Sequence, residues 1–345
     1  MKYIYSIIIT IFVFSSCVTT NYLTIDIRQP AAVSFPPEVV NLVIVDNCAS
    51  SPDNAESDTV REQYVITTDS ARTIMLKSLQ QFMTDENYFS KVELYPYKTN
   101  TSDTEDSMRP LSMRKAQAIC NETGANGLIS VDLYAVTATM ESDKIGYFSN
   151  YNTLSTKVGS ILKVYNEEGE ELSRPVVYVD SLFRGVEANW VRLKTNLSEI
   201  NDMVSEISVI AADKITATFI PSWKTETRWY YSDNSAEMKQ AARYANEGKW
   251  QEAADIWGTL FDKADKPAKK ARIASNLALA NESLDDVPNA MNWINIAKDQ
   301  FPEGKKSDLI NQIAAYHVYL MLRINNIPKL NQQLGLEEVV EESQE

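Results

Sequence analysis

Short apolar runs and helix-period stripes alternate along residues 39–220. VVNLVIVDN (Val39–Asn47) is a nearly unbroken β-branched run and predicts a buried strand. A polar loop, ASSPDNAESD, follows. Asp69 then caps a helix whose apolar positions are Ala71, Ile74, Met75, Leu79 and Phe82. KVELYPY (Lys91–Tyr97) reads as a second strand and KTNTSDTEDSMRP as a long polar loop. A second helix is expected over Ser112–Glu122, ended by Gly124. GLISVDLYAVTATM (Gly127–Met140) predicts a long strand. Two more strands are expected near Lys157–Tyr165 and Val176–Phe183, joined by the turn Asn166-Glu167-Glu168-Gly169. A third helix, about Leu197–Thr216, lines up Ile200, Met203, Ile207, Ile210, Ala211 and Ile215. This order predicts an α/β domain with a mixed sheet over residues 39–220.

After Pro221 the pattern changes. Residues 221–234 hold the aromatic stretch TRWYYSDN, a hinge whose Trp229, Tyr230 and Tyr231 are expected to pack between the two domains. From Ser235 the chain reads as helical. AARYANEGKWQEAADIWGTLF places Ala241, Tyr244, Gly248, Trp250, Ala253 and Trp257 so that small residues let two helices approach, Gly248 turns between them and aromatics fill the gaps. A second copy has Leu277, Ala278, Ala290, Ala297 and Pro302, with Asp285-Asp286 at its turn. LDDVPNAM recurs forty residues later as INNIPKLN, predicting a third helix pair over Ser307–Leu334. These spacings resemble the tetratricopeptide repeat and imply an all-α helical domain over 235–334. The fold class is therefore α+β, a mixed-sheet domain followed by helical repeats. Residues 335–345 read as an acidic, solvated tail.

The resemblance implies a curved stack whose inner face binds peptides or partner proteins. Its inner positions fall here on Met238, Ala242, Ala245 and Asn246, on Arg272, Ser275, Asn276, Leu279 and Glu282, and on Ala315, Tyr319 and Arg323. Asn276 matches the asparagine of the carboxylate-clamp subtype. The clamp lysine is absent, because Met238 and Ala242 stand in its place, so capture of a carboxyl terminus does not carry over. The alternative is that this face packs on the α/β domain.

The chain opens MKYIYSIIITIFVFSSC. Lys2 precedes an apolar run, Tyr3–Phe14, that is too short to span a bilayer. Small Ser15-Ser16 then lead to Cys17. The stretch resembles a bacterial lipoprotein signal with its lipobox, although Phe14 stands where leucine is usual. That resemblance implies a signal peptide over 1–16, acylation of Cys17, and anchoring to a membrane by its acyl chains. An ordinary signal peptide with an incidental cysteine is the other reading. Residues 17–38 read as a tether ending at Pro36-Pro37. Val18-Thr19-Thr20-Asn21 lacks an inner-membrane retention aspartate and an acidic export run. By resemblance, this implies an outer-membrane address facing the periplasm.

The 345 residues leave room for two cores, and the formal charge of −14 disfavours polyanions, so no nucleic-acid partner is expected. Cys48 and Cys120 are expected to be separate thiols. The one histidine, His317, reads as a packed helix residue, and no zinc site of ordinary ligands follows from it. No G-x-S-x-G or phosphate loop occurs. SDTEDS (Ser102–Ser107) lacks calcium-loop spacing. Catalytic residues, metals and cofactors are therefore not expected, though paired-carboxylate hydrolysis needs no histidine. Asp58-Thr59-Val60 and Asp106-Ser107-Met108 resemble the O-glycosylation motif of Bacteroidota, which makes Thr59 and Ser107 candidates.

The element order, with ETGANGLISVDLY, resembles the periplasmic α/β domain of curli-secretion lipoproteins, penicillin-binding-protein activator lipoproteins and the amino-terminal part of TolB. The lipobox, RQPAAVSFPPEVVNLVIVDN (Arg28–Asn47) and the repeat together resemble a family of uncharacterised outer-membrane lipoproteins of Bacteroidota with C-terminal tetratricopeptide repeats. The expectation is a non-enzymatic periplasmic scaffold or adaptor for an envelope protein or peptide. The alternatives are a regulator of an envelope enzyme, such as a peptidoglycan synthase, and a carboxylate-dependent hydrolase.

Overall fold

The computed structural model describes residues 18–49, 63–65, 69–100, 109–145, 149–186 and 198–336. Cys17, Thr59, Ser107 and the last nine residues of the acidic tail lie outside them. The chain divides into two units. One is formed by Pro30–Ser222 with Gln332–Glu345, the other by the chain up to Gln29 with Trp223–Asn331.

The second unit contains β1 (Thr19–Gln29). The first unit is the α/β one. Its strands are β2 (Asn41–Asp46), β3 (Gln63–Val65), β4 (Lys91–Leu94), β5 (Gly127–Ile145), β6 (Ser149–Asn166) and β7 (Val176–Val186). They form one mixed sheet in the order β4-β2-β5-β6-β7, with β3 paired to β5. The β2–β4 and β2–β5 pairs are parallel, and β5–β6–β7 is an antiparallel meander. Helices α1 (Asp69–Asp85), α2 (Met113–Thr123) and α3 (Ser198–Phe219) cover it.

The apolar run in β2 is explained by burial on both faces. Leu42 and Ile44 enter one core with Met75 and Leu79 of α1 and Met203 and Ile207 of α3. Val43 and Val45 enter another with Ala116 and Ile119 of α2. The ends of α2 are as expected. Ser112 accepts a hydrogen bond from the Lys115 N–H, and Gly124 takes the left-handed conformation, φ 68°. The turn after β6 needs Gly169 for two reasons. Its φ is +82°, and a Cβ there would lie 2.2 Å from the Met113 carbonyl oxygen. Gln333 completes this unit. Its side chain accepts from the Ala31 N–H at 2.9 Å and donates to the Ala31 carbonyl at 3.1 Å.

The second unit holds β8 (Ser222–Ser232) and helices α4 (Ala236–Asn246), α5 (Trp250–Asp262), α6 (Pro267–Ser283) and α7 (Val287–Lys298), with most of α8 (Asp308–Leu334). Ala241, Ala253, Ala278, Ala290 and Ala297 are fully buried in its core, around Trp257. Gly248 turns α4 into α5 with φ 73°, and Asp285 takes the same left-handed role after α6 at φ 64°.

Three expectations are corrected here. The expected tether contains β1, and the expected hinge is β8. The two strands pair with each other. Asn21 donates to Ser232 Oγ at 2.9 Å, and Thr225 donates to Asp26 at 2.6 Å. The cause is a period-2 alternation, in which Leu23 and Ile25 pack against the helical core. The expected third helix pair is the single helix α8. Asn325-Asn326 does not turn the chain, and Pro328 sits inside the helix, where it removes one main-chain hydrogen bond without ending it.

Candidate functional site

The residues read as a groove lie on α4, α6 and α8, and β8 runs across them within the same unit. Arg228 of β8 forks onto Glu282 of α6, with Nε donating to Oε2 at 2.9 Å and Nη2 to Oε1 at 3.0 Å. Arg228 is 3% exposed and Glu282 1% exposed, so the pair is out of water. The Tyr316 hydroxyl donates to Glu282 Oε2 at 2.7 Å, and Arg323 Nη1 donates to the Glu282 carbonyl at 3.1 Å. Arg323 Nη2 meets the exposed Asp285 at 2.6 Å. The Arg228 guanidinium also lies over the rings of Tyr316 and Tyr319, 5.8 and 5.2 Å from their centroids. Burial works against the charge of Arg228, but the hydrogen bonds and charge of Glu282 outweigh it and raise its pKa. Burial, and then the Glu282 carboxylate, lifts the Tyr316 hydroxyl well above its ordinary range, so it remains a donor.

Asn276 reads backbone. Its Nδ2 donates to the Tyr231 carbonyl at 2.7 Å, and its Oδ1 accepts from the Tyr231 N–H at 2.8 Å. Both main-chain groups of one extended residue are thus held by one amide. The Tyr231 hydroxyl donates to Gln312 at 2.8 Å. Tyr230 donates to Asn246 at 3.2 Å and rests its ring against Trp257, 6.1 Å between centroids.

Met238, Ala245, Ser275, Asn276, Leu279 and Glu282 are buried, while Ala242, Arg272, Ala315 and Arg323 are half-buried. Asn246 and Tyr319 are exposed. β8 joins Asn246, Asn276, Glu282 and Tyr319 through Tyr230, Tyr231 and Arg228. The sequence reading missed Arg228, Gln312 and Tyr316. An arginine beside three aromatic residues is the one local signal for Arg228. His317 is half-buried, and burial followed by the charge of Lys298 lowers its pKa.

A second polar cluster sits at the end of β2, where its parallel pairing with β5 stops. The β5–β6 register shifts between Val131 and Leu133, a bulge at Asp132. The buried Asp132 carboxylate accepts from Asn47 at 2.8 Å and from Ser130 at 2.5 Å. Thr99 donates to Asn47 Oδ1 at 2.7 Å, and Arg72 pairs with Asp46 at 2.9 Å. Burial raises the Asp132 pKa against these hydrogen bonds. An acid whose folded pKa lies above its unfolded value costs stability when ionised. That cost should be relieved as pH falls through the folded pKa toward 3.8. Asp132→Asn should therefore flatten this part of the stability curve, measured as urea midpoints across the acidic range. An unchanged slope would mean that Asp132 does not titrate there.

Cys48 and Cys120 are both buried and unbridged, and burial raises the pKa of each thiol. Among the described residues, no cluster of three or more His, Cys, Asp or Glu side chains is placed to hold a metal ion. No described helix is long and apolar enough to cross a membrane.

No curated protein matches the sequence. Similar solved structures include a minor lipoprotein from Acinetobacter baumannii, 10% identical over 52% of this chain and 87% of that one, with a TM-score of 0.24. Lipoprotein GNA1162 from Neisseria meningitidis is 13% identical over 48% of this chain and 99% of that one, with a TM-score of 0.20. At such scores neither likeness bears on fold or function. The model described as Domain of unknown function (DUF6340) matches residues 239–321, within the helical unit. The model described as Domain of unknown function (DUF8603) matches residues 39–231, from the lead-in to β2 through Tyr231 of β8. That is more than half of the 345 residues, and the chain belongs to the DUF8603 family.

Proposed function

We propose that the chain is a non-enzymatic lipoprotein of the cell envelope that works by binding a partner protein, anchored to the outer membrane through acylated Cys17 and facing the periplasm. The observation that carries the binding reading is the Asn276 amide, which holds both main-chain groups of Tyr231. A helical surface that holds extended backbone by its main-chain groups supports a protein-binding reading, and here that hold is taken by the chain's own β8. The partner therefore meets surfaces that β8 leaves exposed, such as that around Tyr319. The anchor reading rests on FVFSSC (Phe12–Cys17). Only Val18 separates Cys17 from β1, so acylation there would hold the helical unit within about 7 Å of chain reach from the membrane.

Two experiments test this. Wild-type chain should take up labelled palmitate in cells, and Cys17→Ala should take up none and remain an uncleaved or mislocalised precursor. Normal labelling of that variant would end the lipoprotein reading. A photoactivatable residue at Tyr319 should cross-link a specific envelope protein, identified by mass spectrometry. Turnover of a glycan or peptide substrate by the purified chain, with no cross-linked partner, would replace the adaptor by an enzyme. In the same preparation, intact mass should include glycans at Thr59 and Ser107, and a mass explained by acyl chains alone would remove that assignment.

A further inference from the structure

β7 ends the sheet, and its outer main-chain edge has no strand partner among the described residues. Of the devices that keep an edge strand single it has two charges, Asp180 and Arg184, on the face toward α3. Its register with β6 is unbroken from Val176 to Val186, Pro175 lies before the strand, and no lysine stands on it. One face packs toward α3 through Val176, Tyr178 and Leu182. The other presents Val177, Val179 and Phe183, which are 66, 71 and 65% exposed. A row of large apolar side chains on an open edge calls for a cover.

We propose that this cover is β7 of a second copy, paired antiparallel about a two-fold axis at Leu182. The strand is self-complementary in that register. Asp180 falls opposite Arg184 of the second copy, and Arg184 opposite its Asp180, giving two opposite-charge pairs from one symmetry operation. On the apolar face, Phe183 falls opposite Ser181 and Val179 opposite Gly185, so large meets small. Registers centred on residue 180 or 184 set like charges face to face. Both charges already have partners within the chain, Arg184 on Glu206 of α3 at 2.5 Å and Asp180 on the Tyr178 hydroxyl at 2.9 Å and the Ser181 N–H at 2.8 Å. The Arg184 side chain, 44% exposed, shares its carboxylates across the two-fold axis. The dimer joins two sheets into one continuous sheet through the α/β units. It does not depend on the lipid anchor or on the identity of any partner.

The test uses the full chain in mild detergent. Leu182→Cys places two thiols opposite each other at the axis, with Cα atoms about 4.5–5.5 Å apart, within disulfide reach. Mild oxidation should convert most of the protein to a covalent dimer. Val177→Cys, on the same strand, lies about 33 Å from its copy in this register and should give no more dimer than wild type, which controls for Cys17, Cys48 and Cys120. Asp180→Arg and Arg184→Asp should each weaken self-association about ten-fold by sedimentation velocity, and the double exchange should restore it. A monomer at every concentration would overturn the proposal. Equal cross-linking at Val177 and Leu182, or a dimer indifferent to both charge reversals, would do the same.

Discussion

Glu282→Ala is expected to destabilise the helical unit by about 3–5 kcal/mol, because it removes the forked carboxylate from the buried Arg228 guanidinium and leaves it only the part-exposed Glu226, 3.8 Å from Nη1. Arg228 has almost no exposed surface, so water cannot replace the lost carboxylate. The Tyr316 hydroxyl loses its acceptor in the same change. Urea unfolding followed by tryptophan fluorescence reads the effect, since Trp229 and Trp257 lie in this unit. Arg228→Met combined with Glu282→Met should recover much of the loss, because an apolar pair of similar volume carries no desolvation penalty. If Glu282→Ala moved the midpoint no more than an exposed ion pair would, below about 1 kcal/mol, the pair would have to be solvated and β8 detached from the inner face.

Met238→Glu should damage the protein as much as overpacking its core does. Met238 stands at a position that an open repeat would offer to a partner. Here it is 4% exposed, in one cluster with Tyr230 and Trp257. A carboxylate there must either be buried unpaired or take up a proton, at a cost of several kcal/mol. Ala253→Leu adds three carbons at a contact with no exposed surface and should cost about 1–3 kcal/mol or more. Thermal melts followed by circular dichroism should put both variants well below wild type, with Met238→Leu close to it. A wild-type melting temperature for Met238→Glu would mean that the face is open and that β8 does not cover it.

Both effects follow from β8, and β8 is what the sequence concealed. Local rules made most of the elements legible. The β-branched run gave β2. The 3.6-residue stripes gave α1 and α3. Ser112 and Gly124 bounded α2, and Gly169 and Gly248 marked turns that need a positive φ. The alanines at 241, 253, 278, 290 and 297 marked close helix contacts. Each of these signals acts over a few residues, so it can be read from spacing alone.

The site was only half legible. The resemblance to a repeat singled out Asn276 and Glu282, but what they bind was not legible. Glu282 finds Arg228 54 residues away, and no period links the two. Asn276 binds main-chain groups that any non-proline residue offers, so nothing in the side chain of Tyr231 announces the contact. β1 has the alternation of a strand, but a strand must find an edge, and its edge lies some 200 residues further along the chain. In the same way Asp132 reads as one acid in a β-run. Only the bulge and the end of the β2–β5 pairing bury it against Asn47. The sequence by itself determined which segments are strands and helices and where they turn, because those depend on nearest neighbours. The tertiary structure decided which strand fills the helical face, because that depends on charges and backbone groups meeting across long stretches of chain.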